Sequence, residues 1–141
     1  MRIIVAGSRV FDDYLLLKRT LDHLTRKLDK QLLVILSGHA KGADIMGERW
    51  CFEALVKSEI HHADWDKHGK AAGHIRNEEM VKVADSLVAF WDGKSTGTKH
   101  MIDIAKKKGL NVRVITFTPK PPEKPIKKVK GVKDENPRIS K

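Results

Sequence analysis

Four short apolar runs, rich in branched residues, are spaced along the chain at residues 3–6, 32–36, 87–90 and 112–115. Apart from Arg113, these runs have no polar interruption, which is typical of strands that are covered on both faces, as in a parallel sheet. A weaker segment at residues 59–65 predicts another short strand, although it contains several polar residues.

Between these runs, apolar residues recur every three or four positions, which predicts amphipathic helices. One helix is expected behind Asp12 and Asp13, which are candidate N-caps. Others are expected after residue 43 and over about residues 70–83, and a last one ends in three lysines and Gly109, which suit a helix C-terminus. The apolar positions of the first, second and last helices are Leu17, Leu21, Leu24 and Leu28; Ala43, Met46, Trp50 and Ala54; and Thr98, Met101, Ile102 and Ala105.

The alternation of strands and helices predicts right-handed β-α-β crossovers. The expected fold is therefore α/β, a doubly wound and mainly parallel sheet of about five strands with helices on both faces. A chain of 141 residues is long enough for one domain with a sizeable core. We place this domain at residues 1–117 and a separate extension at residues 118–141.

The extension has the composition of a flexible basic tail. It contains all five prolines, and its eight Lys or Arg against three Asp or Glu account for +5 of the formal net charge of +10. Few apolar residues are available there to offset the entropy of ordering. The tail either improves solubility only, which we favour, or contacts nucleic acid or another acidic partner.

Other features exclude some classes of protein. No apolar run approaches the roughly 20 residues that span a bilayer, so membrane insertion is not expected. The N-terminal run leads directly into Gly7 without a cleavage-type site, and we interpret it as the first strand. Cys51 is the single cysteine and cannot form an intramolecular disulfide, which favours a reducing, cytoplasmic location.

Small and polar residues follow the predicted strands and open the predicted helices. They form Gly7-Ser8-Arg9, residues 37–44 and residues 92–98, and Arg76-Asn77 lies one element upstream of a strand. In a parallel sheet these segments gather at the carboxyl edge, where free backbone N–H groups and helix N-termini favour anions. The pattern predicts a phosphate-bearing ligand; the alternative for any single loop is that its glycine only permits a tight turn.

The sequence lacks the motifs of several well-defined ligand and metal sites. Gly7 lacks the second and third glycines of a dinucleotide fingerprint, and no Walker A loop occurs. The histidines at positions 61, 62, 68 and 74 lack the spacing of a recognised zinc site, so no metal site is predicted. No cofactor is required by the pattern, although Mg²⁺ could accompany a phosphate ligand.

The motifs along the chain resemble those of the YspA-like, cpYpsA-related SLOG family. They occur in order from residue 1 to about residue 116, and are Gly7-Ser8-Arg9, Ser37-Gly38-x-Ala40-x-Gly42-Ala43-Asp44, Ala63-Asp64-Trp65, Gly69-Lys70-x-Ala72-Gly73-x-x-Arg76-Asn77-x-x-Met80, Ala84-Asp85 and Phe90-Trp91-Asp92-Gly93-x-Ser95-x-Gly97-Thr98. The resemblance implies a Rossmann-like sheet and a pocket for a nucleotide or nucleotide-derived ligand. The wider superfamily includes the LOG phosphoribohydrolases and the DNA-processing protein DprA.

The LOG branch has a catalytic glutamate three residues after the threonine of its glycine-rich segment. Arg76 and Gly97-Thr98 match that branch, but Met101 stands where the glutamate is expected. A thioether can neither stabilise an oxocarbenium-like centre nor assist an attacking water. We therefore favour binding over hydrolysis; if the chain is an enzyme, Arg76 and Glu79 are the catalytic candidates, with Glu78, Asp92 and Asp44 as alternatives.

The resemblance and the loop pattern together give a set of candidate ligand-binding residues. Arg9 and the glycine loops are expected at phosphate, while Asp44 in a first helical turn either contacts ligand or satisfies free N–H groups. For Trp65 and Trp91 we expect core packing, with stacking on a base as the alternative. The full set is Gly7, Ser8, Arg9, Ser37, Gly38, Ala40, Gly42, Ala43, Asp44, Arg76, Asn77, Trp91, Asp92, Gly93, Ser95, Gly97 and Thr98.

Three functions from different classes remain open. The first is a module that senses or sequesters a nucleotide-derived molecule, and the second is a hydrolase or transferase acting on the N-glycosidic or phosphoribosyl bond of a nucleotide. The third is DprA-like nucleic-acid binding assisted by residues 118–141. A homo-oligomer is expected from the resemblance alone.

Overall fold

A computed structural model describes residues 1–120 of the chain as one five-stranded sheet with helices around it. The strands are β1 (Arg2–Gly7), β2 (Val34–Ser37), β3 (Lys57–Ile60), β4 (Ser86–Trp91) and β5 (Asn111–Thr116). All four neighbouring pairs are parallel, in the order β3-β2-β1-β4-β5. This confirms the α/β, Rossmann-like fold that the sequence predicts. The extension falls largely at residues 121–141, outside the described residues.

Five helices connect the strands: α1 (Tyr14–Leu24), α2 (Ala43–Ala54), α3 (Trp65–His68), α4 (Ala72–Val83) and α5 (Thr96–Lys108). As predicted, the side chain of Asp13 caps α1 by accepting a hydrogen bond from the Leu16 N–H, and Gly109 ends α5 in a left-handed conformation. Among residues 1–120 no helix is long and apolar enough to cross a membrane.

Alternate side chains of β1 enter two separate cores, so both faces of the sheet are covered. Ile3 and Val5 belong to one cluster with Leu17, Leu21 and Trp50 of α1 and α2. Ile4 and Ala6 belong to the other, which α4 and α5 close with residues that include Met80 and Met101. Covering both faces explains the uninterrupted apolar runs of the central strands.

Three boundaries predicted from the sequence are wrong. The strand placed at 59–65 is β3 at Lys57–Ile60, and Trp65 instead begins α3; β3 is an edge strand whose mostly exposed side chains give no apolar signal. Leu32 belongs to a 3₁₀ turn, and β2 begins at Val34. Leu28 lies beyond α1, which ends at Leu24, because the chain turns at Thr25.

Candidate functional site

A cavity of about 230 Å³ opens at the carboxyl edge of the sheet. Its wall includes Gly7 at the end of β1 and Gly38 just after β2, together with residues of α3, α4 and the first turns of α2 and α5. The strand order reverses between β1 and β4, and crevices at such a switch point are where open α/β sheets bind ligands. The cavity therefore occupies the expected position for a ligand site in this fold.

Two arginines bring positive charge to the cavity. Arg76, on α4, donates a hydrogen bond through Nη1 to the Gly38 carbonyl oxygen at 2.8 Å, which fixes its guanidinium beside the loop after β2. Burial lowers the pKa of Arg76 from its usual value; nearby Asp44 acts in the opposite direction, and Arg9 adds to the lowering. Neither Arg9 nor Arg76 forms an ion pair with a carboxylate of residues 1–120. Arg76 remains charged despite this shift, because an arginine does not deprotonate in proteins.

The N-terminus of α5 adds backbone donors to the same cavity. The side chain of its cap, Ser95, contacts the Thr98 hydroxyl at 3.2 Å but accepts from no backbone amide of the helix, so the first amides of α5 lack intrahelical acceptors. Asp92 holds the preceding loop by accepting from the amides of Lys94 and Ser95 at 2.9 and 2.8 Å. Ser95, Gly97 and Thr98 line the cavity. An anion here would meet a positive helix end.

Two glycines allow the loops to approach one another. A Cβ on Gly7 would overlap the Phe90 carbonyl oxygen and lie 2.7 Å from the Cβ of Ala43. A Cβ on Gly38 would lie 2.7 Å from Nη1 of Arg76 and 2.9 Å from Oδ2 of Asp44. Gly7 therefore requires glycine for backbone packing, whereas a side chain at Gly38 would displace the Arg76 guanidinium and the Asp44 carboxylate.

Asp44 is the one carboxylate among residues 1–120 that lines the cavity. It lies in the first turn of α2, is only 5% exposed, and accepts a hydrogen bond from the Ala40 amide at 3.3 Å. Burial raises the pKa of Asp44 to about 6, against the lowering effects of the Ala40 amide and of Arg76. Asp44 can thus change its protonation state near neutral pH.

Asn77 lines the cavity and connects α4 to α5 through side-chain hydrogen bonds. Its Oδ1 accepts from Nε of Arg76 at 3.2 Å, and its Nδ2 lies 3.3 Å from the Gly97 carbonyl oxygen and 3.2 Å from Nδ1 of His100. Burial, followed by the neighbouring His74, lowers the pKa of His100, so a neutral ring can accept this hydrogen bond. Asn77 therefore positions both Arg76 and the start of α5.

Most of the residues predicted to bind ligand are brought together here. Those that line the cavity are Gly7, Arg9, Gly38, Ala40, Asp44, Arg76, Asn77, Ser95, Gly97 and Thr98. Glu79, the predicted catalytic carboxylate, is exposed on α4 and does not line it, and neither does Glu78. Met101 does line the cavity, at the position where the LOG branch has its glutamate.

The remaining predicted residues support the loops instead of lining the cavity. Ser8 is buried and accepts from the Asp92 amide, while Ser37 donates to Glu48 at 2.7 Å. Trp91 donates from its indole N–H to the Ser95 carbonyl oxygen. The others in this group are Gly42, the N-cap of α2; Ala43, its first residue; Asp92, which holds the α5 loop; and Gly93, which is exposed with φ of 82°.

The candidate set from the sequence lacks several lining residues from α3, α4 and their junction. Trp65 is 52% exposed and lines the cavity, so the expectation that it packs in the core is wrong, whereas Trp91 does pack against the core. The family motifs around Trp65 and Gly69 contained the signal for this segment. The lining residues outside the predicted set are Ala6, Trp65, Lys70, Gly73, His74, Met80 and Met101.

No group of three or more His, Cys, Asp or Glu side chains that could hold a metal ion occurs in the described part of the chain. Three of the four histidines considered in the sequence make other contacts. His61 lies 2.6 Å from Glu59, His62 packs against His39, and the His74 ring stacks on His100. Mg²⁺ accompanying a phosphate ligand stays a prediction.

The fold and the cavity define a Rossmann-like α/β domain with an anion-favouring pocket at its switch point. The family model for the YspA, cpYpsA-related SLOG family matches residues 1–68. Gene 61 protein of Mycobacterium phage D29 is 41% identical over 129 residues, covering 85% of this chain and 98% of that protein. The chain belongs to the YspA, cpYpsA-related SLOG family.

A solved structure shares the architecture at low sequence identity. DNA processing protein A (DprA) from Streptococcus pneumoniae is similar with a TM-score of 0.62 and 17% identity, covering 80% of this chain and 49% of DprA. The chain thus spans about half the length of DprA, and the likeness concerns the fold alone. Family membership supports a function related to nucleotides or nucleic acids in general terms.

Proposed function

We propose that the chain binds a nucleotide or nucleotide-derived phosphate ligand in the cavity at the carboxyl edge of the sheet, as a sensor or sequestering module. One observation carries the proposal: Arg9, Arg76 and the uncapped start of α5 converge on one cavity without an ion-paired carboxylate among residues 1–120. Guanidinium groups and helix N-termini are the groups that bind phosphate most readily.

Other lining residues of the cavity support a ligand with an apolar, planar portion. Ala6, Met80 and Met101 supply apolar surface, and Trp65 supplies an aromatic one. A volume of about 230 Å³ lies below the roughly 300–1,000 Å³ of typical ligand pockets, which favours a ligand of mononucleotide size over a dinucleotide.

The proposal is tested by titrating the full chain with nucleoside monophosphates, cyclic nucleotides, ADP-ribose and inorganic phosphate, using thermal shift and calorimetry. Arg9→Ala should weaken binding of the best ligand by roughly tenfold or more, since a charge-assisted contact is lost. Arg19→Ala is the matched control, because Arg19 is an exposed arginine of α1 outside the cavity. Absence of binding by every compound, or equal effects of the two variants, would contradict the proposal.

The properties of Asp44 support a second candidate function, the hydrolysis of an N-glycosidic bond. A buried carboxylate whose pKa is raised to about 6 is suited to general base catalysis near neutral pH. Asp44 would accept a proton from water as the C1′–O bond forms and the C1′–N bond breaks, and the base would leave with that proton. Chromatography for free base or ribose phosphate tests this function, and release that persists in Asp44→Asn would exclude Asp44 as the base.

Nucleic-acid binding remains a third proposal, supported by the fold shared with a protein whose name describes DNA processing and by the basic composition of residues 118–141. The homo-oligomer likewise stays a prediction, which light scattering of the purified chain would test. A cytoplasmic location also stays a prediction.

A further inference from the structure

The three tryptophans of the chain have different surroundings. Trp50 is 1% exposed and donates its indole N–H to Asp22 at 2.9 Å, and Trp91 donates to the Ser95 carbonyl oxygen at 3.0 Å. Trp65 is 52% exposed, and its indole N–H has no hydrogen-bond acceptor within residues 1–120. A large aromatic side chain left half open at a cavity is unusual, since tryptophan is highly buried on average.

The local structure holds Trp65 at the cavity. Asp64 caps α3, accepting from the Lys67 amide at 3.0 Å, and its carbonyl oxygen accepts from the His68 amide at 2.9 Å. Trp65 is the first residue of this fixed turn. Gly73 lies next to the indole: a Cβ there would be 3.6 Å from Cη2 of Trp65, an ordinary contact distance. Gly73 therefore places no side chain against this edge of the ring.

A second aromatic ring also lines the cavity. The His74 ring is covered on one side by His100, with centroids 3.8 Å apart and planes 12° from parallel. His74 lines the cavity, as do Trp65 and Lys70, and its ring is held by the stack on His100. Arg9 and the start of α5 supply positive charge to the same cavity. The cavity thus combines a phosphate-type surface with an aromatic one.

We infer that Trp65 is the base-stacking surface of this cavity, so that the ligand is a nucleoside 5′-phosphate recognised through its planar base as well as its phosphate. This inference rests on the proposed function and adds to it a specificity-determining residue, for which the sequence leaves base stacking as the alternative to core packing. Stacking of a base on an aromatic side chain tolerates different bases but requires one. A sugar phosphate without a base should consequently bind more weakly than the nucleotide.

The test compares two probes, adenosine 5′-monophosphate and ribose 5-phosphate, on the full chain by calorimetry. Trp65→Ala should weaken binding of adenosine monophosphate by roughly tenfold and leave ribose 5-phosphate unchanged, because only the base loses its partner. Trp65→Phe should retain most of the affinity, since phenylalanine also stacks. Phe52→Ala is the matched control: Phe52 is 84% exposed and lies outside the cavity lining.

Tryptophan fluorescence gives an independent readout. Adenosine monophosphate should quench the emission of the natural protein, and the quenching should be largely lost in Trp65→Phe although the nucleotide still binds. If Trp65→Ala binds adenosine monophosphate as tightly as the natural protein, or loses both probes equally, the stacking inference is wrong while the proposed function stands. If neither probe, nor any other phosphate compound, binds the natural protein, both are wrong.

Discussion

At the scale of single residues, two glycines at the starts of helices differ in how closely other atoms pack around them. Gly42, the N-cap of α2, has φ of 94°, and a Cβ there would overlap the Ser8 carbonyl oxygen. Gly97, in the first turn of α5, has no atom within 4 Å of the Cβ position. The first glycine is needed for the fold, and the second leaves space at the cavity wall.

Gly42→Ala should therefore lower the free energy of unfolding by about 3 kcal/mol or more, since it combines a disfavoured backbone conformation with a backbone clash. Gly97→Ala should change it by less than about 1 kcal/mol, and in the stabilising direction, because alanine restricts the unfolded chain. Urea denaturation followed by circular dichroism measures both. Equal losses in the two variants would contradict this assignment.

Asp44 gives a prediction about pH. Burial raises the pKa of Asp44 to about 6, whereas an unfolded aspartate titrates near 3.9. Between these values the unfolded chain releases a proton that the folded chain retains, so ionisation of Asp44 lowers stability as pH rises from about 4 to 6. A difference of about two pKa units corresponds to roughly 3 kcal/mol, which is fully expressed above pH 6 and absent below pH 4.

Asp44→Asn removes this titration while keeping the shape of the side chain. Relative to the natural protein, the variant should therefore gain up to roughly 3 kcal/mol of stability between pH 4 and pH 7. Urea denaturation of both proteins at each pH gives the difference, in which the titration of other groups largely cancels. A difference that does not change with pH would show that Asp44 is not buried as a carboxylate in the folded protein.

At the scale of elements, the α4–α5 junction decides whether the site is assembled. Asn77 is 6% exposed and contacts Arg76, the Gly97 carbonyl and His100. Through these contacts the orientation of α4 determines where a cavity arginine and the start of α5 lie. Glu79, two residues later, is exposed and takes no part in the described hydrogen bonds or ion pairs.

Asn77→Ala should destabilise the protein by about 1–3 kcal/mol, because partners of a buried amide lose their hydrogen bonds. It should also weaken nucleotide binding, since Arg76 and the start of α5 are no longer held together. Glu79→Ala is the control on the same helix and should leave both properties close to those of the natural protein. Denaturation and calorimetry check the pair; a catalytic role for Glu79 would instead appear as lost turnover in that control.

The elements show why some of the fold could be predicted and some could not. Central strands such as β1 and β4 are buried on both faces, so almost every residue in them is apolar and the strand is visible in the sequence. β3 pairs only with β2 through backbone hydrogen bonds, and its side chains are mostly exposed, so no periodic pattern marks it. Its prediction at residues 59–65 consequently missed the true start and extended into α3.

The residues of the candidate site could likewise be predicted only in part. Gly7, Gly38 and Ser95 were predictable because parallel strands place the segments that follow them at one edge of the sheet. Trp65 and His74 lie in the connection between β3 and β4, and the hydrophobic pattern does not show that this connection reaches the cavity; only the family motifs around Trp65 and Gly69 indicate the segment. The sequence thus predicts the charged and glycine-rich lining of the cavity more completely than its aromatic lining.

At the scale of the whole molecule, the parallel sheet brings the end of the described chain to the same edge as the cavity. β5 runs parallel to β4, and after it the Phe117 amide donates to the Trp91 carbonyl oxygen at 3.1 Å, next to the loop that opens α5. Residues 118–141, with +5 of the formal net charge of +10, are attached at this point. The sequence thus continues from the edge of the sheet at which the two cavity arginines lie.

Deletion of residues 118–141 separates nucleotide binding from nucleic-acid binding. If the tail contacts phosphates, the deletion should weaken binding of single-stranded DNA and reduce the slope of log affinity against log salt concentration, because fewer counterions are released. Nucleotide affinity in the cavity should change much less, since the lining residues identified in the structure all lie before the deletion. Fluorescence anisotropy across a salt series measures the DNA arm, and calorimetry the nucleotide arm. An unchanged DNA slope would make the tail a solubilising segment only, whereas loss of nucleotide binding would mean that it forms part of the ligand site.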